Sequence, residues 1–423
     1  MDHDPAPDGA RSAIRERPSG HVALAVVVTL AMVFGTVTPF VVGALSPFLL
    51  PALSLSRSQL GLFVTVNFTV AALVSIPGGR LIDRIESRAV MTALFVISGA
   101  AMLGVAASTS VVMFLLFAIP AGVVQAASNP VTNLLVARYT PRRYRGVVLG
   151  AKQAGVHIGG TLVGVILPAV ALVAGWRVAV VLAAATALVA LAASRRVVPV
   201  GGTPGHVAGG DGAPFRWTDG GVPYLTLYAF FMGGGVSAVM LHLPLYAHER
   251  LGMDEATAGS VLATFAFTGV VARLLWGWVG DRATRVAQVL LGLAAGATVA
   301  TLVLWQAESG ATWTVWLAAV ALGLSAAAWN AVGMLAVVRE VRQAHVGRAT
   351  GLVTMGFFAG FIVSPPAFGA LVDATDAYTL GWVVITAHFA LAALLTGWWW
   401  LRSPGPRAGS PGPALRTGPA QPG

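Results

Sequence analysis

The chain has 423 residues, of which 57% are hydrophobic and only 10% charged, with a formal net charge of +10 and no cysteine. Ordinary soluble domains carry about 25% charged residues, and a chain this apolar could not cover its own surface in water. The lack of cysteine excludes disulfides, thiolate metal sites and cysteine nucleophiles, and the basic balance comes without the aromatic-basic motif of a nucleic-acid reader.

In chain order, residues 1–21 form a charged, Pro-containing tail. The apolar run after it far exceeds the ~7–15 residues of a signal-peptide core, so a cleaved leader is not expected. Twelve apolar runs follow, with cores at 22–50, 58–79, 89–108, 111–137, 146–174, 177–194, 222–247, 256–279, 286–306, 311–338, 347–371 and 379–401. Each meets the need for about 20 apolar residues to cross ~30 Å of hydrocarbon. Each must be helical, because lipid offers no partner for backbone N–H and C=O groups. Residues 197–220, rich in Gly, Pro and Thr, read as a flexible linker. Residues 403–423, Pro/Gly-rich, read as a disordered tail. The expectation is an all-α integral membrane protein with bundles at 22–196 and 221–402.

Orientation follows from arginine. Lys152 is the only lysine, and the other 25 of the 26 basic residues are arginine. Arg57, Arg177 and Arg250 fall in loops of one side and Arg273 within a span. The remaining 21 lie in the tails or the opposite loops, which are therefore expected to be cytoplasmic.

Two internal echoes relate the halves. Gly79-Arg80-Leu81-Ile82-Asp83-Arg84 returns as Gly277-Trp278-Val279-Gly280-Asp281-Arg282. Asn129, Arg138, Gly146, Gly150, Gly155 and Gly159 return as Asn330, Arg339, Gly347, Gly351, Gly356 and Gly360. Doubling at this period marks two related units, the pattern of a secondary transporter. The two-times-six arrangement, with Gly-x-Leu-x-Asp-Arg between the second and third spans, resembles the major facilitator superfamily over essentially the whole folded chain. Glu86 stands where that family's signature continues with Gly, and Arg88 supplies its base. The resemblance implies twelve helices as two pseudo-symmetric six-helix bundles, without a cofactor. It further implies a gate in which Asp83, beside Gly79 and Arg84, and Asp281, beside Gly277 and Arg282, close the cytoplasmic side with Arg138 and Arg339. The alternative is that these charges only fix topology.

Lys152 shares a helical face with Gly155 and Gly159, so it is expected to point into protein or a cavity; the alternative is snorkelling to the headgroups. Arg273 shares a face with Gly269, Gly277 and Gly280, expected to pack closely. Ala272-Arg273-Leu274-Leu275-Trp276-Gly277, with His242-Leu243-Pro244 and Gly252, resembles monocarboxylate and oxalate/formate-type carriers. There the arginine binds the substrate carboxylate; holding helices together through backbone carbonyls is the plainer role. Guanidinium suits a carboxylate because two parallel N–H bonds match two oxygens. In this superfamily the fifth and eighth spans meet, which would bring Lys152 and Arg273 together with no deep acid to neutralise them, and such a pocket calls for an anion.

His242 and His157 are candidates for proton coupling, or are buried histidines satisfied by neighbours; His157 lies about 140° from Lys152 on the helix wheel. Asn129, Asn133 and Asn330 line the pathway or join helices. Pro39, Pro47, Pro51, Pro365 and Pro366 are expected kinks, and Gly35 and Gly233–Gly235 rocking or gating elements.

Drug/proton antiporters of the superfamily carry an arginine near Ala118 and a Gly-Pro where this chain has Gly155-Val156, which weakens that alternative. The monocarboxylate branch places an acid at the position of Gly269, so a proton is less secure than an anion. A membrane enzyme or a sensor is the different-class alternative, and no nucleophile or metal constellation with suitable spacing is present. The expected protein is a monomeric carrier of a small organic anion, with H+ as coupling ion and membrane lipid around it. Arginine in place of lysine and abundant Ala and Gly suggest a GC-rich bacterial genome, hence an inner membrane. A single cysteine at Ala208 in the 197–220 linker should resist an impermeant thiol reagent in intact cells and react after permeabilisation; labelling in intact cells would invert the topology.

Overall fold

The computed structural model describes residues 18–82, 84–200, 221–283, 285–342 and 345–402. Among them are helices and turns and no strand, with twelve helical spans long and apolar enough to cross a membrane. They run Gly20–Ala44, Arg57–Ser75, Ser87–Ala107, Val111–Tyr139, Arg143–Ala174, Trp176–Val197, Val222–Glu249, Glu255–Gly280, Val286–Ser309, Thr314–Glu340, Val346–Thr375 and Thr379–Arg402. All twelve expected runs are present in order.

Three runs read as continuous are broken, the fourth span by a turn at Phe117 between helices Val111–Leu116 and Ala118–Tyr139. The first helix stops at Ala44, and a separate helix Ser46–Leu53 begins with Pro47 in its first turn, where a missing N–H costs nothing. The tenth span tightens into a 3₁₀ turn at Ala326–Ala328 between helices Thr314–Ser325 and Trp329–Glu340. The indole Nε1–H of Trp276 donates to Leu324 O at 2.7 Å beside that break, because in lipid a carbonyl released from the ladder needs another donor.

The repeat extends to packing detail. Gly155 lies against Thr29 O of the first span, and Gly356 lies in the same way against Thr226 O of the seventh. Both threonines turn their hydroxyls back to the carbonyl four residues earlier. Helix association in lipid depends on close packing and backbone approach, so a glycine at the crossing admits the partner where a Cβ would collide.

The halves meet through two equivalent antiparallel helix pairs, second with eleventh and fifth with eighth, and through the first against the seventh. One end of this junction is shut. A Cβ on Gly61 would lie 2.5 Å from Pro366 N, one on Gly43 2.5 Å from Met240 O, and one on Gly259 2.6 Å from Gly164 O. Pro366 has no N–H, which leaves Ile362 O without its helical donor; Thr65 Oγ1–H of the other half donates to it at 2.6 Å.

At the same end Arg57 donates from Nε and Nη2 to Glu249 Oε2 at 2.9 and 2.7 Å. Tyr378 OH donates to that oxygen at 2.8 Å. Asp373 accepts from the backbone N–H groups of Arg57 and Ser58 at 3.0 and 2.9 Å, capping the first turn of the second span from the opposite half. At the other end, where the spans holding both chain termini and the linker finish, Gly146, Gly150, Gly277, Gly347 and Gly351 have open space beside them. The conformation is closed at the Arg57 end.

The Arg57 and Glu249 side chains are each 24% exposed, so the pair is worth on the order of 1 kcal/mol, a several-fold effect on the opening equilibrium. Arg57→Ala should therefore raise thiol labelling of a cysteine at Ile362 several-fold in this cysteine-free background. Equal labelling with and without Arg57 would mean that the cluster does not hold the end shut.

Candidate functional site in the membrane interior

The fifth span is a single helix, Arg142–Ala174, laid on the first span by Gly155, Gly159 and Gly160. This close approach encloses Lys152, whose side chain is fully buried. Its Nζ donates to Asn129 Oδ1 at 3.0 Å and to Thr132 Oγ1 at 2.9 Å, both on the fourth span. Thr132 Oγ1–H in turn donates to Ser128 O at 2.6 Å. Lys152 does not snorkel.

Spans five and eight run antiparallel in a regular register. Arg273 Nη1–H donates to Gln153 O at 3.0 Å, the carbonyl next to Lys152. One turn along, the ring of His157 fills the space over Gly269, where a Cβ would stand 3.0 Å from Nε2. His157 lies between Phe40 and Phe265, with ring centroids 6.2 and 6.4 Å away. Gln153 Nε2–H donates to Asn129 Oδ1 at 3.1 Å, so one amide oxygen receives both Lys152 and Gln153. A continuous polar path thus runs from Asn129 through Lys152 and Gln153 to Arg273 in the other half.

This path carries two cations and no acid. Among the described residues the ion pairs are those of Arg57 with Glu249 and Asp373, at the closed end. The partners of Lys152 and Arg273 are an amide, a hydroxyl and a carbonyl, which orient charge without cancelling it. Two further nitrogens at this level are buried without a hydrogen-bond partner, the donor Arg273 Nε and the ring atom His157 Nδ1. In a low-dielectric interior such unmet cationic capacity favours a bound anion.

The structure therefore brings together Lys152, Arg273, Asn129 and His157 from the sequence-predicted set. It places His242 elsewhere: that ring is buried, bonded through Nε2 to Pro365 O at 2.9 Å and stacked on Phe368 at 4.5 Å, which ties the seventh span to the eleventh. Asn330 is half-buried just past the 3₁₀ turn of the tenth span. Of the expected gate, Asp83 lies outside the described residues, as do the side-chain surroundings of Gly79 and Asp281. Arg84 is exposed and Arg138 half-buried at the end of the fourth span. Arg339 Nη1 donates to Ala283 O at 3.2 Å, the residue that ends the eighth-span helix. Arg282 stacks over Trp278 at 4.0 Å.

One expectation needs correction. Gly277 does not join a close-packed face with Gly269 and Gly280: it has open space beside it, because the junction diverges toward that end. Thr132, Gln153 and the Arg57 cluster were missed. Thr132 lies three residues after Asn129 and so shares its helical face, a spacing that could have flagged it.

The family model of the Major Facilitator Superfamily matches residues 23–258 and 225–421. A probable nitrate/nitrite transporter, NarK2 of Mycobacterium tuberculosis, is 30% identical over 81% of this chain and 88% of its own length. Monocarboxylate transporter 13 of Rattus norvegicus is 25% identical over 88% and 86%, and a probable sulfoacetate transporter, SauU of Cupriavidus necator, 24% identical over 81% and 85%. Among solved structures, a bacterial homologue of the human lysosomal transporter Spinster, in an inward-facing conformation, aligns with a TM-score of 0.71 at 16% identity, over 92% of this chain and 97% of that one. The matched architecture and the extent of these similarities lead to one assignment: the chain belongs to the Major Facilitator Superfamily.

Proposed function

We propose that this protein is a secondary transporter of small anions that works by alternating access, with a carboxylate as cargo. The reading is carried by one observation: Lys152 and Arg273 lie at one level of the membrane interior with no acid among their partners. Relatives named for nitrate/nitrite, monocarboxylates and sulfoacetate support it, since all of those are anions. A planar guanidinium matches two oxygens of a carboxylate, and nitrate or a sulfonate presents a comparable pair, so the fork alone selects anions by geometry rather than by name.

In this reading the arginine-rich end is cytoplasmic and the closed end faces outward. An anion arriving from the open end meets the free Nε of Arg273 and the charge of Lys152. Because Arg273 belongs to one half and Lys152 with Asn129 to the other, a ligand held between them gains or loses contacts as the halves rock. That differential affinity is what any ligand-driven conformational change requires. Release of the Arg57 cluster would open the outer side, while Asp83, Asp281, Arg138 and Arg339 would close the inner one. His157, set over Gly269 beside Arg273, is the candidate for carrying a proton with the anion, which would make transport a symport into the cell. The Asn330 amide serves the pathway from the opposite bundle.

Arg273→Ala should weaken anion binding by about 1.5–3 kcal/mol, the scale of a hydrogen bond to a charged group. Arg273→Lys should not restore it, because an ammonium cannot reproduce the two-bond fork. Lys152→Ala should also reduce uptake, with partial recovery in Lys152→Arg. Counterflow in proteoliposomes and ligand-induced thermal shift, run with nitrate, a monocarboxylate and a sulfonate, provide the readout. Unchanged affinity in both alanine variants, or preferential movement of cations by the wild type, would defeat the anion reading. A separate test addresses the gate: Asp83→Asn and Asp281→Asn should lower transport at normal expression, and normal transport in both would reduce these residues to topology signals.

A further inference from the structure

Away from the junction, the first, fifth and sixth spans enclose a groove of about 1010 Å³ on the outer face of one bundle. It lies on a different side of the fifth span from Gln153 and His157, which face the eighth. Its walls are apolar and open outward: Val22, Val26, Val147 and Val189 are all exposed. Thr29 and Thr186 line it, but their hydroxyls are turned back to Ala25 O and Ala183 O, so the wall offers no polar handle along its length. The groove exists because the facing positions at Ala25, Ala151 and Ala190 are small, while Gly155 and Gly159 hold the first and fifth helices together beneath it.

Its polar groups are gathered at one end. His21, Arg143 and Tyr144 stand at the mouth, on the side where the chain termini leave the bundle. His21 Nδ1 is buried and has no hydrogen-bond partner. The Arg143 guanidinium lies over the Tyr144 ring at 4.6 Å and, among the described residues, forms no ion pair. From His21 to Phe34 the groove follows the first span for about 20 Å, roughly the depth of one leaflet measured from headgroup to midplane.

We propose that this groove is a binding site for an anionic phospholipid, with the headgroup phosphate held by Arg143 and His21 and one acyl chain lying along the apolar wall. A cation and an unmet ring nitrogen at the headgroup level, followed by one leaflet's depth of apolar wall, are complementary to that amphiphile. They are not complementary to a soluble anion, which would leave the wall uncovered, or to a zwitterionic lipid, whose headgroup offers no net charge to Arg143. The first and fifth spans also contact the other half, so a lipid fixed across them is placed to bias the rocking of the bundles.

The test is native mass spectrometry of the full chain in neutral detergent, titrated with phosphatidylglycerol or phosphatidylcholine. Wild type should retain phosphatidylglycerol at about tenfold lower lipid concentration. Arg143→Glu should abolish that preference. Ala25→Trp, which fills the groove, should remove the retained lipid, whereas Arg402→Glu, an exposed arginine at the same end of the last span, should leave it intact. Glycerol 3-phosphate should not displace the lipid. A photoactivatable phosphatidylglycerol should crosslink to wild type within residues 147–162, a readout that needs no variant to fold. Equal retention of the two lipids by wild type, undiminished preference in Arg143→Glu, displacement by glycerol 3-phosphate, or crosslinking spread evenly over the other spans would each overturn the proposal.

Discussion

Hydrocarbon offers neither a hydrogen-bond partner nor a dielectric that screens charge, so every polar group in these spans has to be satisfied by the protein itself. The backbone meets the constraint by being helical, and at two of its interruptions a side chain supplies the missing donor. Thr65 serves the carbonyl that Pro366 leaves without a donor, and Trp276 serves a carbonyl beside the 3₁₀ turn at Ala326–Ala328. Among the described residues several buried side-chain polar atoms lack a partner, those of Asn67, Tyr246 and Trp382 among them; Arg273 Nε and His157 Nδ1 are set apart by lying beside Lys152 where the halves meet, and that is where a functional reading begins.

The same constraint explains how the halves are joined. Lipid supplies no hydrophobic drive for two helices to associate, so the contacts rest on close approach and on hydrogen bonds that have nowhere else to go. At the closed end both are present: glycine against backbone at Gly61, Gly164 and Gly259, and Asp373 reaching from one half to cap the second span of the other. The ion pair there is partly exposed and individually weak, as the alternating-access cycle proposed above requires of a contact that breaks.

The twelve spans and the doubling were legible in the sequence because they rest on composition and spacing, which are local properties. Lys152 was legible as a buried group for a similar reason, since it shares its face with Gly155 and Gly159. Pairings between distant spans were not. Arg57 reads as an ordinary loop charge, and nothing at its position points to Glu249 or Asp373. The break after Ala44 was hidden within a run of apolar residues and prolines expected only to kink. The tightened turn at Ala326–Ala328 was hidden because alanine favours a regular helix, so local preference gave no sign of what tertiary packing imposes there. The divergence that leaves Gly277 open depends on which end of the junction is shut, a property of the conformation rather than of the residue.

Pseudo-symmetry separates what the scaffold needs from what the interior site adds. Some packing features occur in both halves: Gly155 and Gly356 meet threonine carbonyls in equivalent positions. Lys152, counted from those glycines, corresponds to Val353, a fully buried aliphatic residue. Arg273, counted from the repeated Gly-Asp-Arg motif, corresponds to Ser75, whose hydroxyl is satisfied within its own helix by Ala71 O. The same helix pairing is thus made in the other half with an apolar and a self-satisfied side chain at these two places. A buried charge costs several kcal/mol unless something compensates it. One stands in each half, on the two spans that form a single interface and absent from their symmetric counterparts, and the anion proposed above would supply the opposite charge to both.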